Sequence, residues 1–405
     1  MSLQIDTLVI GGGVQGLWIL NDLIRRNYRA CLITSGPLGS GQTLQSHVFL
    51  HRGHLYENRH LVERITEAQP AWRDLIREAD IEKPTRKPVW ILPSDASQRY
   101  LESWRACGLQ YNAADLPDIF RGGDFANGPA CRAFETEETW LNGEALIKAL
   151  SARALPAIRT GCVERIDIRN GGVKSVEVTL ADGVPVTLRP RFVVLAAGVG
   201  NQQLLSSAVS FGNRRQDDRL RAASARLQRL RASQMVVVRG RNLPSLGCIA
   251  PSKLFVVSHR DGPDTVWLNS YQIDDVASSP NLNAMPPVDP RRLRMNLDVL
   301  LSAVPQLKEM EVRYGVYTGL KSERNVDQRW VPDEEYVEHL GSPSLNLRVV
   351  WPSKLTLAPL ASQRVIEAVR DRIPRPNGKR SVDRIYLGFH PQSVQAIGEL
   401  PSVCP

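Results

Sequence analysis

Apolar positions run almost unbroken through "IDTLVI" (residues 5–10), the pattern of a strand buried on both faces. In "VQGLWILNDLIRRN", which follows, Leu17, Leu20, Leu23 and Ile24 form one stripe at helical spacing. Asn27 closes that helix, and "YRACLITSG" supplies a second apolar strand. These three segments predict a βαβ unit. Helices are predicted for Arg59–Glu78, for "DASQRYLESWRACG" and for "GEALIKALSARAL" at 143–155, with "VWIL" as a strand between the first two. The alternating stretch "GCVERIDIRNGGVKSVEVTLADG" predicts a hairpin with turns at Asn170-Gly171 and Asp182-Gly183. "FVVLAAGVGNQQLL" then reads as another buried strand running into a glycine turn.

Beyond residue 212 the character changes. Leu220, Leu227 and Leu230 recur at helical spacing within "NRRQDDRLRAASARLQRLR", predicting a basic amphipathic helix over 213–231. Antiparallel-looking runs follow: "MVVVRG", "KLFVVSHRDGPDTVWLNSY" and "EVRYGVYTGLK". Between them lie a proline-rich loop from Ser279 to Pro290 and a helix in "PRRLRMNLDVLLSAV". "NLRVVWPSKLTLAPLASQRVIEAVRDRI" closes the pattern as strand, turn and long helix, and no repeat is present. This order predicts a nucleotide domain built from 1–84, 143–212 and 340–380. A mixed-sheet second domain is expected from 85–142 and 213–339, with 381–405 as a C-terminal extension. The fold class is accordingly α/β plus α+β, with the two domains interleaved.

Composition agrees with two cores: the 405 residues are 42% hydrophobic and 23% charged. The N-terminus carries no basic segment ahead of its apolar run, and no window reaches about 18 uninterrupted apolar residues. The six cysteines are scattered without metal-like spacing. A cytoplasmic protein with reduced thiols and no metal is expected. The net charge of +9 raises nucleic acid or an anionic membrane as partners, and much of the excess lies in 214–231. A solvated helix face with one apolar stripe is the simpler reading of that run. No aromatic residue interrupts it, which weakens a single-stranded nucleic-acid reading.

Candidate chemistry begins at "LVIGGGVQGLW", where Gly11, Gly13 and Gly16 keep GxGxxG spacing between a strand and a helix. Gly11 permits the tight turn, Gly13 lets the backbone approach a pyrophosphate, and Gly16 allows close helix–strand packing. Val14 and Gln15 begin the helix whose free N–H groups stabilise the anion. At the end of the second strand, where an acid usually binds the adenosine ribose, the chain has Thr34 and Ser35. A hydroxyl bonds a ribose without the charge that strengthens such a bond. A phosphorylated nicotinamide nucleotide therefore stays open at this point.

After Thr34 the chain reads "SGPLGSGQTLQSHVFLHRGHLY". With its Gly-Ser turn, its polar Thr/Ser segment and an H-x-G-x-x-Y stretch, it resembles the FAD-dependent oxidoreductases of the D-amino-acid oxidase (DAO) family, which include glycerol-3-phosphate and L-2-hydroxyglutarate dehydrogenases. The resemblance implies a Rossmann-type FAD-binding domain with an interleaved substrate domain, FAD as cofactor, and flavin contacts from Gly41, Gln42, Thr43, Ser46 and His47. By the same resemblance Val163 faces the adenine, Ala197 and Gly198 approach the pyrophosphate, and Ser353, Lys354, Leu355 and Thr356 sit at the pyrimidine edge of the ring. "YTGLKSE" stands where the family has G-L-R-P, with Lys321 for arginine and Ser322 for proline. A lysine binds a carboxylate as a point charge, without the guanidinium fork.

The implied reaction is oxidation of a small amine, amino acid or hydroxy acid by hydride transfer to flavin N5, with oxygen or an unidentified carrier as electron acceptor. The chain's side chains then need to supply a positioned base and cations for an acidic substrate. His51 is the candidate base and Lys321 the candidate cation, with Lys354, Arg52 and Arg324 as further cations. His54, Tyr56, Tyr271 and Tyr317 are secondary candidates, and Trp140 and Trp351 are core. Two rivals remain: a nicotinamide-dependent dehydrogenase using only the N-terminal motif, and a flavoprotein docking RNA or membrane through the 214–231 arginines.

Overall fold

The computed structural model describes residues 2–127, 130–251, 253–270, 289–326, 334–339, 345–351 and 353–374. Tyr271, nearly all of the proline-rich loop and the 381–405 extension lie outside these residues. Two eight-stranded sheets organise the rest.

In the first, Ser2–Ile10 is the centre of a parallel array, with Ala30–Thr34 on one side and Pro185–Leu195 on the other. Ile158–Arg169 and Leu347–Trp351 extend the array outward in parallel. Successive side chains at the end of Ser2–Ile10 enter separate cores: Val9 packs with the helices on one face, and Leu8 and Ile10 pack on the other. The helices Val14–Arg25, Arg59–Glu78 and Ala358–Arg372 supply buried side chains to the first of these cores. The predicted hairpin is Ile158–Arg169 against Gly172–Leu180, turning at Asn170 and Gly171, both with positive φ.

The second sheet is ordered Arg313–Arg324, Gln228–Gly240, Asp264–Ser270, Leu254–Asp261, Gly247–Ala250, Val89–Pro93, Cys131–Thr136 and Tyr111–Ala114. Every pairing is antiparallel except Gly247–Ala250 with Val89–Pro93, so the sheet is mixed, as expected. A two-residue ribbon, Phe49–Leu50 against Thr139–Trp140, is separate from both sheets. Trp140 anchors it through Nε1–H donating to the Ser258 carbonyl at 2.7 Å.

The arginine-rich segment departs from its prediction. Its helix covers only Arg214–Leu227, and a strand begins at Gln228. Leu230 therefore belongs to a strand, while Leu220 and Leu227 pack from the helix against the first sheet. Tertiary pairing overrides the helical spacing: Gln228 through Arg239 align with Arg324 through Arg313 in twelve consecutive antiparallel pairs. Arg214, Arg215, Arg219, Arg221 and Arg226 stay on the exposed helix, whereas Arg229 and Arg231 turn inward on the strand. No helix of the described residues is long and apolar enough to cross a membrane.

Gly16 shows how tightly the first crossover is built, because a Cβ there would lie 2.0 Å from the Gly11 carbonyl oxygen. Gly16→Ala is expected to destabilise the fold by about 1–3 kcal/mol through overpacking, read as a lower urea midpoint at unchanged slope.

Candidate active site

A cavity of about 540 Å³ lies where the two sheets meet, at the C-terminal ends of Ser2–Ile10, Ala30–Thr34 and Pro185–Leu195. One end is a cradle of backbone. Gly11 has φ of 122°, and a Cβ on it would meet the Ala196 oxygen at 2.3 Å. Gly13 caps the helix Val14–Arg25 without a side chain, and no acid sits in the helix's first turn. Val14 N–H donates to Thr43 Oγ1 at 3.1 Å. Helix N–H groups opening into a turn this free of side chains suit an anionic diphosphate. Gly13, Val14, Gln15, Thr43, Ala197 and Gly198 line this end, and Gly11 floors it. Asn201, fully buried, holds the second turn by accepting from Ala197 N–H at 2.8 Å and donating to the Val350 carbonyl at 2.9 Å.

Thr34, Ser35 and Val163 line the adjoining part of the cavity. Thr34 Oγ1 donates to the Gly36 carbonyl at 2.9 Å, so the hydroxyl oxygen can offer a ligand only acceptor lone pairs. Gly41, Gln42, Ser46 and His47 also line it, as do Ser353, Lys354 and Leu355. Gly16 and Thr356 stand behind the wall. Gly16 packs on Gly11, and Thr356 is fully buried with its carbonyl accepting from Trp72 Nε1–H at 2.9 Å. Gln42 ties the two sheets together, its Oε1 accepting from Ser322 N–H at 2.9 Å.

At the other end, His47 stacks on Phe255 with centroids 4.1 Å apart, and its Nε2–H donates to the Phe255 carbonyl at 3.1 Å. Burial, with help from Lys321 and His259, lowers the His47 pKa well below its ordinary value. The neighbouring Val48 has φ of 50°, a strained conformation for a β-branched residue. It sits at the turn between His47 and the Phe49–Leu50 ribbon. His51 follows that ribbon and lines the cavity against Phe49 and Tyr56. Its Nδ1 lies 3.6 Å from Glu138 Oε1 and is buried without a formed hydrogen bond among the described residues, which leaves Nε2 as the ring nitrogen turned from the carboxylate. Burial lowers the His51 pKa against the pull of Glu138, and Lys354 and Lys321 lower it further, which keeps the ring neutral at pH 7. A neutral ring with an available Nε2 is a proton acceptor.

Two arginines, two lysines and a glutamate cluster here. Arg229 and Arg231 lie opposite Glu323 and Lys321 in the strand register, so all four side chains share one face. Glu323 accepts from Arg231 at 2.6 and 3.1 Å and from Arg229 at 2.9 Å. Burial would raise the Glu323 carboxyl, but Lys354 and Arg231 outweigh it and pull the pKa down to about 2. Lys354 Nζ stands 4.5 Å over the Tyr56 ring. Its pKa is brought down to about 8, chiefly by burial, with Glu323 opposing and Arg231, Lys321 and Arg229 adding to the fall. Arg231, Lys321 and Lys354 against Glu323 are three cations to one anion, an excess of two positive charges on the cavity wall. That wall selects an anionic ligand.

Several sequence candidates fall outside the cavity. His54 is buried behind His51 with Nε2–H donating to the Gln110 carbonyl at 3.1 Å. Arg52 Nε–H donates to the Glu137 carbonyl, Arg324 pairs with Glu338 at 2.7 Å, and the Tyr317 hydroxyl donates to the Gln45 carbonyl at 3.3 Å. Conversely Glu138, Glu323 and Arg231 are site residues that sequence reasoning passed over. The alternation of Gly319, Lys321 and Glu323 along one strand face was the available signal for Glu323. Nothing local marked Glu138 out from its neighbours in "ETEET". Among the described residues no group of three or more His, Cys, Asp or Glu could hold a metal ion.

The family profile described as FAD dependent oxidoreductase, DAO, matches residues 6–343. A probable FAD-dependent oxidoreductase of Pseudomonas aeruginosa is 26% identical over 400 residues, covering 93% of each chain. Its crystal structure is similar with a TM-score of 0.68 at 22% identity, covering 94% of both chains. Glycine oxidase from Geobacillus kaustophilus is similar with a TM-score of 0.66 at 17% identity, over 96% of this chain and 99% of its own. L-proline dehydrogenase from P. horikoshii is similar with a TM-score of 0.67 at 13% identity, over 95% and 98%.

Because Lys354 is charged only below about 8, the cavity loses one of its cations as pH rises through that value. Affinity for a simple carboxylate such as acetate is expected to fall about tenfold or more across this step, matching loss of one charge-assisted hydrogen bond. In Lys354→Met the step should vanish, as followed by titration of the loaded enzyme.

Proposed function

The chain belongs to the DAO family of FAD-dependent oxidoreductases, and on that premise we propose that it oxidises the α C–H bond of a small amino acid. The excess positive charge of Arg231, Lys321 and Lys354 in the cavity that His51 also lines carries this reading. A cationic wall facing a neutral base suits a substrate with a carboxylate at one end and a proton to lose at the other. The names of the glycine oxidase and the L-proline dehydrogenase, which share the fold, also point to amino acids.

FAD, when bound, supplies the two-electron acceptor for the carbon-bound hydrogen. Its diphosphate would be held by the backbone at Gly13 and Gly198 in the turn that Gly11 keeps open, and its ribose by Thr34 and Ser35. Gly41, Thr43, Ser46 and Leu355 would flank the ring system. Lys321 and Lys354 bind the substrate carboxylate as point charges, and Arg231 adds to their field while anchored by Glu323. That anchoring holds the cation still, so little side-chain entropy is lost when the substrate arrives. The substrate's ammonium must lose a proton before its α carbon can give up hydrogen, and His51 Nε2 accepts that proton. Phe49, Tyr56 and Phe255 wall the ring and exclude water around the base. The product is an imino acid, which water converts to a 2-oxo acid and ammonia.

Anaerobic mixing of the holoenzyme with matched pairs, each an amino acid and the amine left by removing its carboxylate, tests the reading. The amino acid of a reactive pair is expected to bleach the flavin about tenfold or more faster than its amine, the loss expected for one charged contact. Equal rates within every reactive pair would overturn it. His51→Ala should slow bleaching about 100-fold or more while FAD stays bound, the usual contribution of a general base.

A further inference from the structure

We propose that Glu138 is the positioning residue of this site: it fixes His51 in the tautomer that carries hydrogen on Nδ1, and so turns the Nε2 lone pair toward the substrate. The inference rests on the reading of His51 as the base. It begins in the register of the short ribbon, where Phe49 pairs with Trp140 and Leu50 with Thr139. The next rung of that ladder sets His51 beside Glu138. No part of the Glu138 side chain reaches solvent.

Three donors orient the carboxylate independently of either histidine. Arg52 N–H donates to Oε1 at 3.0 Å, Trp90 Nε1–H to Oε2 at 2.9 Å, and the Thr136 hydroxyl to Oε2 at 3.3 Å. Burial would raise the carboxyl pKa, but the His51 and His54 rings hold it well below the usual carboxylate range. An ionised carboxylate only accepts. His51 Nδ1, at 3.6 Å from Oε1, is buried with no other partner. A lone pair on that nitrogen would face the anionic oxygen, whereas Nδ1–H faces it favourably. The separation is slightly longer than a formed hydrogen bond, as catalytic contacts often are before substrate binds. The ring has little freedom to turn away, since Phe49, Tyr56 and Phe255 lie 4.8, 5.3 and 6.0 Å from it between centroids.

His54 brings a second ring to the same oxygen, its Nδ1 at 3.5 Å, and Trp104 covers it at 4.8 Å. The charged and titratable groups acting on His51 are thus Glu138, His54, His47, Tyr56, Lys321 and Lys354. Of these Glu138 is the anion that stabilises a protonated His51, while Lys321 and Lys354 oppose it.

The test is Glu138→Gln in the holoenzyme, with Glu138→Asp as its charge-retaining partner. In Glu138→Gln the acid limb of the kcat/KM profile should move to lower pH, because the imidazolium loses its counter-charge. Turnover at the optimum should fall about tenfold, part of what a general base contributes, and the alkaline limb set by Lys354 should stay in place. Glu138→Asp should return the acid limb toward its original position. An acid limb that does not move in Glu138→Gln overturns the proposal, even if the variant is less stable. A variant that fails to fold leaves a second measurement: nitrogen-15 NMR of the histidines in the unaltered holoenzyme, with the His51 signals assigned by their loss in His51→Gln. Nδ1–H is expected on neutral His51, and Nε2–H would overturn the proposal. Normal flavin bleaching in His51→Ala would defeat the base reading instead, a result separate from either of these.

Discussion

Twelve antiparallel pairs between Gln228–Arg239 and Arg313–Arg324 are the constraint on which the candidate site depends. A strand period of two places Arg229, Arg231, Lys321 and Glu323 on one face, and the ladder turns that face toward the cavity. The strand Arg313–Arg324 is an edge strand, so its outward N–H groups need partners from elsewhere. Gln42 and Gln45 meet that need at Ser322 and Leu320, the two residues flanking Lys321. Gln228 adds a third tie, donating to Ser322 Oγ at 2.6 Å and to the Gly198 carbonyl at 3.0 Å. The segments expected to embrace the cofactor and the strand that carries Lys321 are therefore one hydrogen-bonded assembly.

Burial then decides how the charges behave. Water around these groups is scarce, so each charge depends on its neighbours to remain ionised. Glu323 is held as a carboxylate by Lys354 and by the arginines that clasp it, while Lys354 sits close to its own titration point. His47 and His51 respond in the opposite sense, becoming neutral because burial and nearby lysines penalise a further positive charge. The outcome is a cavity with a cationic side and a neutral imidazole, both arising from the same desolvation.

Much of the fold could be read locally. The strand Ser2–Ile10 and helix Val14–Arg25 are marked by short-range patterns, because burial on both faces demands continuous apolar residues and the crossover demands glycine. Gly11 and Gly16 are required by contacts within one turn, and such contacts are visible in a short window. The cavity wall was legible at Thr43, Ser46, His51, Lys321 and Lys354 through their resemblance to a known pattern. Arg229 and Arg231 were misplaced because leucines at 220, 227 and 230 satisfy helical spacing, and a strand partner more than eighty residues away imposed the other solution. Glu138 was hidden for a related reason. Its neighbours in sequence are solvated glutamates, and only the ribbon brings it against His51.

The sequence by itself determined the crossover unit, the glycine cradle and the identity of the groups able to carry chemistry, because each of these follows from residues a turn or a strand apart. Only the tertiary structure decided which charges face one another. Sheet register and ribbon pairing join residues 51 with 138 and 231 with 321 and 323 across long loops. The energies that set their protonation exist only once those pairs are sealed from water.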